Sequence, residues 1–530
     1  MNTRKWPDWL ALFLALATVF VTHFVSDRIY ERMAHFEDEM AYVWQAQAIA
    51  GGDLVLPSPP NPKSFMTPFV IDYNGVRFGK YPPGWPTILA IGFDAGLEDW
   101  VNQLLAGLGI WLLYLLAKRI ASGTPSTTLR TGSGLLAVLL MLTSPMFWLL
   151  SGSLLSHAWS LVLTLGFVLA WLDSFEMNRQ ERKDRKEIKK KDFARFASFA
   201  VQSPPKWLTI LVAGLSLGVL VLTRPMNAIG VALPFFVHGS ILLVRGDQST
   251  RARVLAIGLL AALVGALLFA WQFAVTDDPL LNPYTLWWKY DKIGFGEGFG
   301  LWGDGYNMKH AGYIIALSLW LPRGTRGDIF GWENLWWLFL PFGLWALRKK
   351  ISAWLVAGIF PALLLAYVPY WIGSWQYGPR YYYEGMLGLT ILSAAGVSWL
   401  AGNGMRIRKT LAGLALAVLV GYNLFAYLPD RLWKMHGMYN IDRSMLEPFY
   451  TIEAQALQPA LIIVHTQKEW TEYGGLLELQ NAQLNTPFIF ALYRSDAVFS
   501  DFYEGFPKRK IYHYYPDEPF TFYPLPRSGR

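Results

Sequence analysis

The sequence predicts a mainly α, polytopic transmembrane bundle with a small α/β domain at its C-terminal end, and three observations predict it. Several runs of roughly 17–22 apolar residues recur through the first ~430 positions, long enough to cross a hydrocarbon core of roughly 30 Å, and about eleven spans are placed on them. Lys and Arg gather in alternate loops between those runs. After Pro429 the long apolar runs stop and short β-rich segments begin.

The spans are placed near residues 8–25, 101–117, 135–151, 157–173, 208–222, 227–244, 254–274, 333–347, 352–370, 384–400 and 410–427. The first follows Arg4 and Lys5 and its apolar centre runs from Leu10 to Val21, a pattern that a leader peptide shares. No small-residue cleavage site follows, and the later spans need this one for a consistent orientation, so it is read as an uncleaved span. Arg4/Lys5, Lys118/Arg119, Arg179–Arg195, Arg245/Arg251/Arg253, Arg348/Lys349/Lys350 and Arg406/Arg408/Lys409 then fall on one side, which the positive-inside rule makes cytoplasmic. Three long segments fall outside: a first loop at 26–100, a second at 276–331, and the tail at 428–530. The division is therefore a transmembrane module, 1–427, and an extracytoplasmic domain, 428–530. Runs such as ALIIVHT, PFIFALY and KRKIYHYY make the tail β-rich, and it serves either acceptor binding, support of the loops, or simple capping.

The formal charge of +8 belongs to the membrane-orientation pattern and not to a nucleic-acid stripe. No cysteine is present, which removes disulfides, thiol nucleophiles and Cys-based metal sites together. The sequence has neither a phosphate-binding loop nor a dinucleotide fingerprint, and no recognisable metal motif. Ionisable residues are scarce within the spans and collect at their outer ends, whereas ion-coupled transporters place them mid-membrane.

The first loop opens with HFEDEMAYVWQAQAIAGGD from His35. Met40, Val43, Trp44 and Gln47 share helix spacing, and Gly51-Gly52 ends the helix. Asp38 and Glu39 read either as an N-cap and a first-turn acid or as catalytic carboxylates held at the membrane surface. Two adjacent acids at a helix start point in different directions, though a divalent cation at them stays open. RFGKYPPGWP, from Arg77, returns the chain to the surface with Lys80 and Tyr81, and Trp85–Phe93 is too short to span, so it reads as an interfacial helix. Farther on, Arg224 precedes Pro225, and Arg380 sits in WQYGPRYYYEG beside Tyr381, where a guanidinium suits bidentate phosphate contacts or an interfacial belt. In the second loop, Asp291, Glu297 and Asp304 read as solvated loop charges, and the aromatics around them as a substrate gate or an interfacial segment.

The acidic pair after the first span, with Tyr42 and Ala46, together with GDLVLP, KYPPGWP, LTRPMNA at 222–228 and YGPRYYYEG at 377–385, resembles the GT-C glycosyltransferase superfamily over roughly residues 1–427. Within it the protein O-mannosyltransferase and lipid A aminoarabinose transferase families are the most similar. The resemblance implies an inverting transferase that takes a sugar from a polyprenyl-phosphate donor, with an acceptor on protein, lipid or glycan. It makes Asp38 the general base, and gives Lys80 the lipid phosphate, with Arg380 and Arg224 as further cations. Tyr42, Tyr81, Tyr381 and His157 become substrate-contact candidates. Two departures stand out: Tyr81 intervenes between Lys80 and the prolines, and GSLLSHAWS carries His157 where the aminoarabinose transferases tend to have Asp. His157 reads equally as a phosphate or acceptor contact and as a capping or interfacial residue. From other classes, a flippase or transporter of lipid-linked glycans and a non-catalytic assembly factor compete with this reading.

Overall fold

The structure is a computed structural model that describes residues 6–122, 127–175, 206–319, 335, 337–374, 377–402, 406–467 and 469–527. The basic residues Arg4, Lys5 and Arg179–Arg195, and positions 320–331 of the second loop, lie outside the described residues.

The helices that build the bundle and its loops are α1 (Trp6–Arg28), α2 (Glu37–Ala50), α3 (Gly84–Ala95), α4 (Val101–Ala121), α5 (Thr127–Leu142), α6 (Pro145–Gly152), α7 (His157–Phe175) and α8 (Lys206–Thr223). They continue with α9 (Pro225–Arg245), α10 (Gln248–Gly265), α11 (Leu267–Thr276), α12 (Met308–Leu319), α13 (Leu340–Leu347), α14 (Ile351–Tyr367), α15 (Met386–Gly402) and α16 (Arg406–Tyr422). Among the described residues, 8 helical runs are long and apolar enough to cross a membrane, or 9 when a bent pair counts as one span. The sequence expects about eleven; among the described residues, three of those runs take other forms. The run at 135–151 breaks into α5 and α6 at 67°. Pro145 lacks the N–H that would continue α5, and Ser144 Oγ accepts from Phe147 N at 3.4 Å to start the next helix. The run at 352–370 becomes α14, an apolar helix of 17 residues, and within 333–347 the helix present is the short α13.

Lipid tails are as apolar as leucine, so these helices are held by close approach and dispersion more than by hydrophobic transfer. Glycine provides that approach where α13, α14 and α15 meet. A Cβ on Gly343 would lie 1.8 Å from the Leu392 carbonyl oxygen, one on Gly388 2.3 Å from that of Val356, and one on Gly396 2.1 Å from that of Phe339. Elsewhere α1 packs on α4, α4 on α5 and α7, α7 on α8, and α9 on α14.

The helix ends segregate. At one end Lys118 Nζ meets Asp8 at 2.5 Å, Arg119 Nε meets Asp173 at 2.9 Å, and Lys350 Nζ reaches the Ile120 carbonyl at 2.7 Å. These basic residues are among those that the charge pattern puts on one side. The opposite ends converge with the first loop.

That loop contains a small antiparallel sheet absent from the sequence expectation, β1 (Leu56–Pro57), β2 (Val70–Tyr73) and β3 (Val76–Gly79), in the order β1-β3-β2. Asn74-Gly75 turns β2 into β3 with φ of 52° and 81°, the pairing that two-residue hairpins favour. β3 runs straight into Lys80, whose N–H bonds the Phe69 carbonyl at 3.0 Å. α3 then packs on α2 and α8, burying Trp85 and Leu89 while Ile91 stays exposed.

In the tail, β4 (Ala460–Val464), β5 (Phe488–Leu492), β6 (Lys510–Tyr514) and β7 (Phe522–Tyr523) form a sheet ordered β5-β4-β6-β7, parallel except for β7. Alternate residues point to opposite faces. Ile462, Val464 and Phe490 join Met33, Ala34 and Met40 of the first loop in one core, and Leu461, Ile463 and Ile489 join Phe65 in another. The sheet thus packs against two parts of the first loop. Further bonds tie them: Ala34 N to Glu478 Oε1 and Ala482 N to Gln47 Oε1, both 3.0 Å.

Candidate active site

Asp38 lies in the first turn of α2, two residues past the cap position, which Phe36 occupies. Glu39 fixes that helix start. Its Oε2 accepts from the backbone N–H of His35 (3.0 Å) and Phe36 (3.1 Å), and its Oε1 from that of Leu154 (2.9 Å). The last bond ties α2 to the turn between α6 and α7. Glu39 is 1% exposed, and burial pushes its carboxyl up to about 7 against the pull of those N–H groups. Neighbouring helical positions diverge by about 100°, so Asp38 faces another way.

Asp38 Oδ1 accepts from the Tyr81 hydroxyl, and its Oδ2 lies 3.5 Å from Arg380 Nη2. Burial raises the Tyr81 phenol well above its ordinary range, as does the adjoining Asp38 charge, so it remains a donor. Gln45 Nε2 holds the Tyr81 carbonyl at 3.1 Å, and the rings of Tyr42 and Tyr81 lie 4.7 Å apart. Glu37, beside Asp38, is pushed up to about 7 by burial and then by the Asp38 charge.

Arg380 begins the helical turn Arg380–Gly385 that leads into α15, after a bend made by Gly378 at φ 83°. Its guanidinium is buried with Phe36, Tyr377 and Tyr381 at 4.9–5.9 Å, and its Nε has no hydrogen-bond partner among the described residues. Tyr381 stacks on Tyr367 at 4.8 Å.

Arg224 occupies the break between α8 and α9, set by Pro225 in the first turn of α9. Its Nη1 is 2.5 Å from His157 Nε2, and its Nε is 3.6 Å from Glu384 Oε1. Glu384 is wholly buried and accepts from Ser160 Oγ and Asn227 Nδ2, both at 2.5 Å. The Tyr367 hydroxyl closes the set on Asn227 Oδ1 at 2.5 Å.

Lys80 stands on the other side of Tyr81. Its ammonium lies 3.4 Å from the ring centre of Phe69 and 4.9–5.2 Å from those of Tyr81, Tyr284 and Trp288. Asp291 Oδ2 is 3.8 Å away. Burial draws the lysine down to about 8, opposed first by Asp291.

All nine expected residues meet in this one region: Asp38, Glu39, Tyr42, Lys80, Tyr81, His157, Arg224, Arg380 and Tyr381. Asp291 corrects the sequence reading. It is not a solvated loop charge but is 3% exposed, with Oδ1 held by Tyr370 Oη and Trp371 Nε1, both at 3.0 Å. Glu384 was not singled out, although an acid within an apolar span is itself a signal. Among the described residues no group of three or more His, Cys, Asp or Glu side chains is placed to hold a metal ion.

No family model and no curated protein sequence matches the chain. Solved structures do. ArnT from Cupriavidus metallidurans bound to undecaprenyl phosphate superposes with a TM-score of 0.54 at 15% identity, over 95% of this chain and 88% of that one. The same protein in the apo state gives 0.52 at 14%, with the same coverage. The oligosaccharyltransferase from Archaeoglobus fulgidus in the apo form gives 0.48 at 11%, over 94% and 69%. At 15% identity the likeness is one of fold, and the chain shares the fold of ArnT.

Proposed function

We propose that this protein is an inverting glycosyltransferase that moves a sugar from a polyprenyl-phosphate donor to an acceptor hydroxyl at the outer membrane surface. One observation carries the reading: Asp38, in the first turn of the first loop's helix, is met by Arg380 at 3.5 Å and by the Tyr81 hydroxyl, from stretches far apart in sequence. Lys80, buried, and Arg224, with little of its side chain exposed, belong to the same region. The ArnT comparison structure holds undecaprenyl phosphate, which supports a lipid-linked donor here.

The chemistry follows from the groups. Asp38 takes the proton of the acceptor hydroxyl, worth typically ~10²–10⁴ in rate. The freed oxygen attacks the anomeric carbon, and the bond from that carbon to the phosphate oxygen breaks on the opposite face, inverting the centre. The lipid phosphate departs with the electron pair, and its growing charge is met by fixed guanidinium and ammonium groups that need no reorganisation. Arg380, Arg224 and Lys80 fill that role, and Tyr42, Tyr81 and Tyr381 wall the sugar. The orientation proposed from the loop charges puts this end, and the tail, on the extracytoplasmic side.

The test is Asp38→Asn in the purified protein with a radiolabelled polyprenyl-phosphate sugar. The variant should express normally and lose transfer by at least roughly 100-fold. Transfer at the wild-type rate in the variant would remove Asp38 as the base, whereas a wild-type protein that transfers no sugar would favour a flippase of lipid-linked glycans.

A further inference from the structure

We propose that His157 is a positioning residue for the anion-binding arginines, a neutral imidazole whose tautomer is dictated by Arg224. The inference rests on the transferase reading above and deepens it. A guanidinium carries only donors. Arg224 Nη1 lies 2.5 Å from His157 Nε2, so that nitrogen must present its lone pair and the ring proton must sit on Nδ1. The ring is the first residue of α7, buried, and edge-on to Tyr383 at 5.8 Å. It also lies against the Arg380 backbone, with no well-formed hydrogen bond at Nδ1. One imidazole therefore touches the side chain of one arginine and the main chain of the other.

The choice of group matters. A carboxylate at this place would orient Arg224 and also cancel its charge. Arg224 already has one carboxylate beside it, so a neutral acceptor orients the guanidinium without adding a second negative charge. Glu384, 3.6 Å from Arg224 Nε, holds the opposite edge of the same guanidinium, and is itself fixed by Ser160 and Asn227. Arg224 thus lies between an uncharged hydrogen-bond acceptor and a carboxylate, and the bond to His157 is what orients it.

Binding of undecaprenyl phosphate to the purified full chain, measured by calorimetry, tests this. His157→Phe should weaken binding roughly tenfold, the size of a lost bond to a charged group. His157→Gln, whose Oε1 replaces Nε2 as acceptor, should recover most of that loss. His157→Asn, polar but too short to reach Arg224, should not, and it stands in for the Phe variant should that fail to fold. Added to Arg224→Ala, neither His157→Phe nor His157→Asn should cost anything more. Additive losses in either double variant would mean that His157 contacts the ligand itself, and a Gln variant as weak as Asn would remove the acceptor role; both outcomes overturn the proposal. A wild-type chain that binds no undecaprenyl phosphate overturns the transferase reading as well, and so is told apart from them.

Discussion

At the scale of single residues, the site is a set of charges whose surroundings decide their state. Lys80 is held down to about 8 by burial, and its ammonium is the form that the proposed phosphate-binding role needs. Its charge is present below that value and is lost as pH rises through it, so kcat/KM for the donor should fall above about pH 8. Asp291 opposes that depression, so Asp291→Asn should move the falling limb to lower pH; a limb that stays in place would detach Asp291 from Lys80. Glu39 has a different part. Its oxygens accept three backbone N–H groups, and glutamine has one acceptor oxygen to offer them. Glu39→Gln should cost about 1–3 kcal/mol of stability, read as a lower Tm in detergent. Asp38 and Arg380 could be found in the sequence because an acid after the first span and a Gly-Pro-Arg turn are local signals. Asp291 could not, since its neighbours Tyr290, Lys292 and Gly294 look like open loop, and the groups that bury it, Tyr370 and Trp371, come from far along the chain.

At the scale of elements, hydropathy located the apolar runs and missed where the backbone breaks within them. Ser144-Pro145 was visible as a stop signal within 135–151, but apolarity continues across it, so the bend between α5 and α6 was read as one span. The hairpin of β2 and β3 could have been read too, since Asn74-Gly75 is a strong turn signal, and β3 runs directly into Lys80 and Tyr81. What no single run of sequence reports is which glycine faces which backbone. Gly343 on α13 sits where a Cβ would fall 1.8 Å from a carbonyl oxygen of α15. Gly343→Ala should force those helices apart and cost about 1–3 kcal/mol, measured by thermal unfolding in detergent. An unchanged Tm would mean that α13 shifts freely.

At the scale of the whole molecule, the tail sheet and the first loop share two cores, so α2 is supported from a segment at the far end of the chain. A chain ended after Trp433 should still insert its helices but lose sugar transfer, because Met33, Ala34 and Met40 would lose the packing that steadies the start of α2. Transfer retained by that truncation, in membranes with normal expression, would make the tail a mere cap. The same arrangement has a consequence for the order of synthesis. Ala34 and its partner Glu478 are separated by 444 residues. At typical elongation rates the ribosome needs roughly 20–90 s to cover that distance. In the orientation proposed from the loop charges, the first loop crosses the membrane early in that interval and meets its scaffold only when translation is nearly finished.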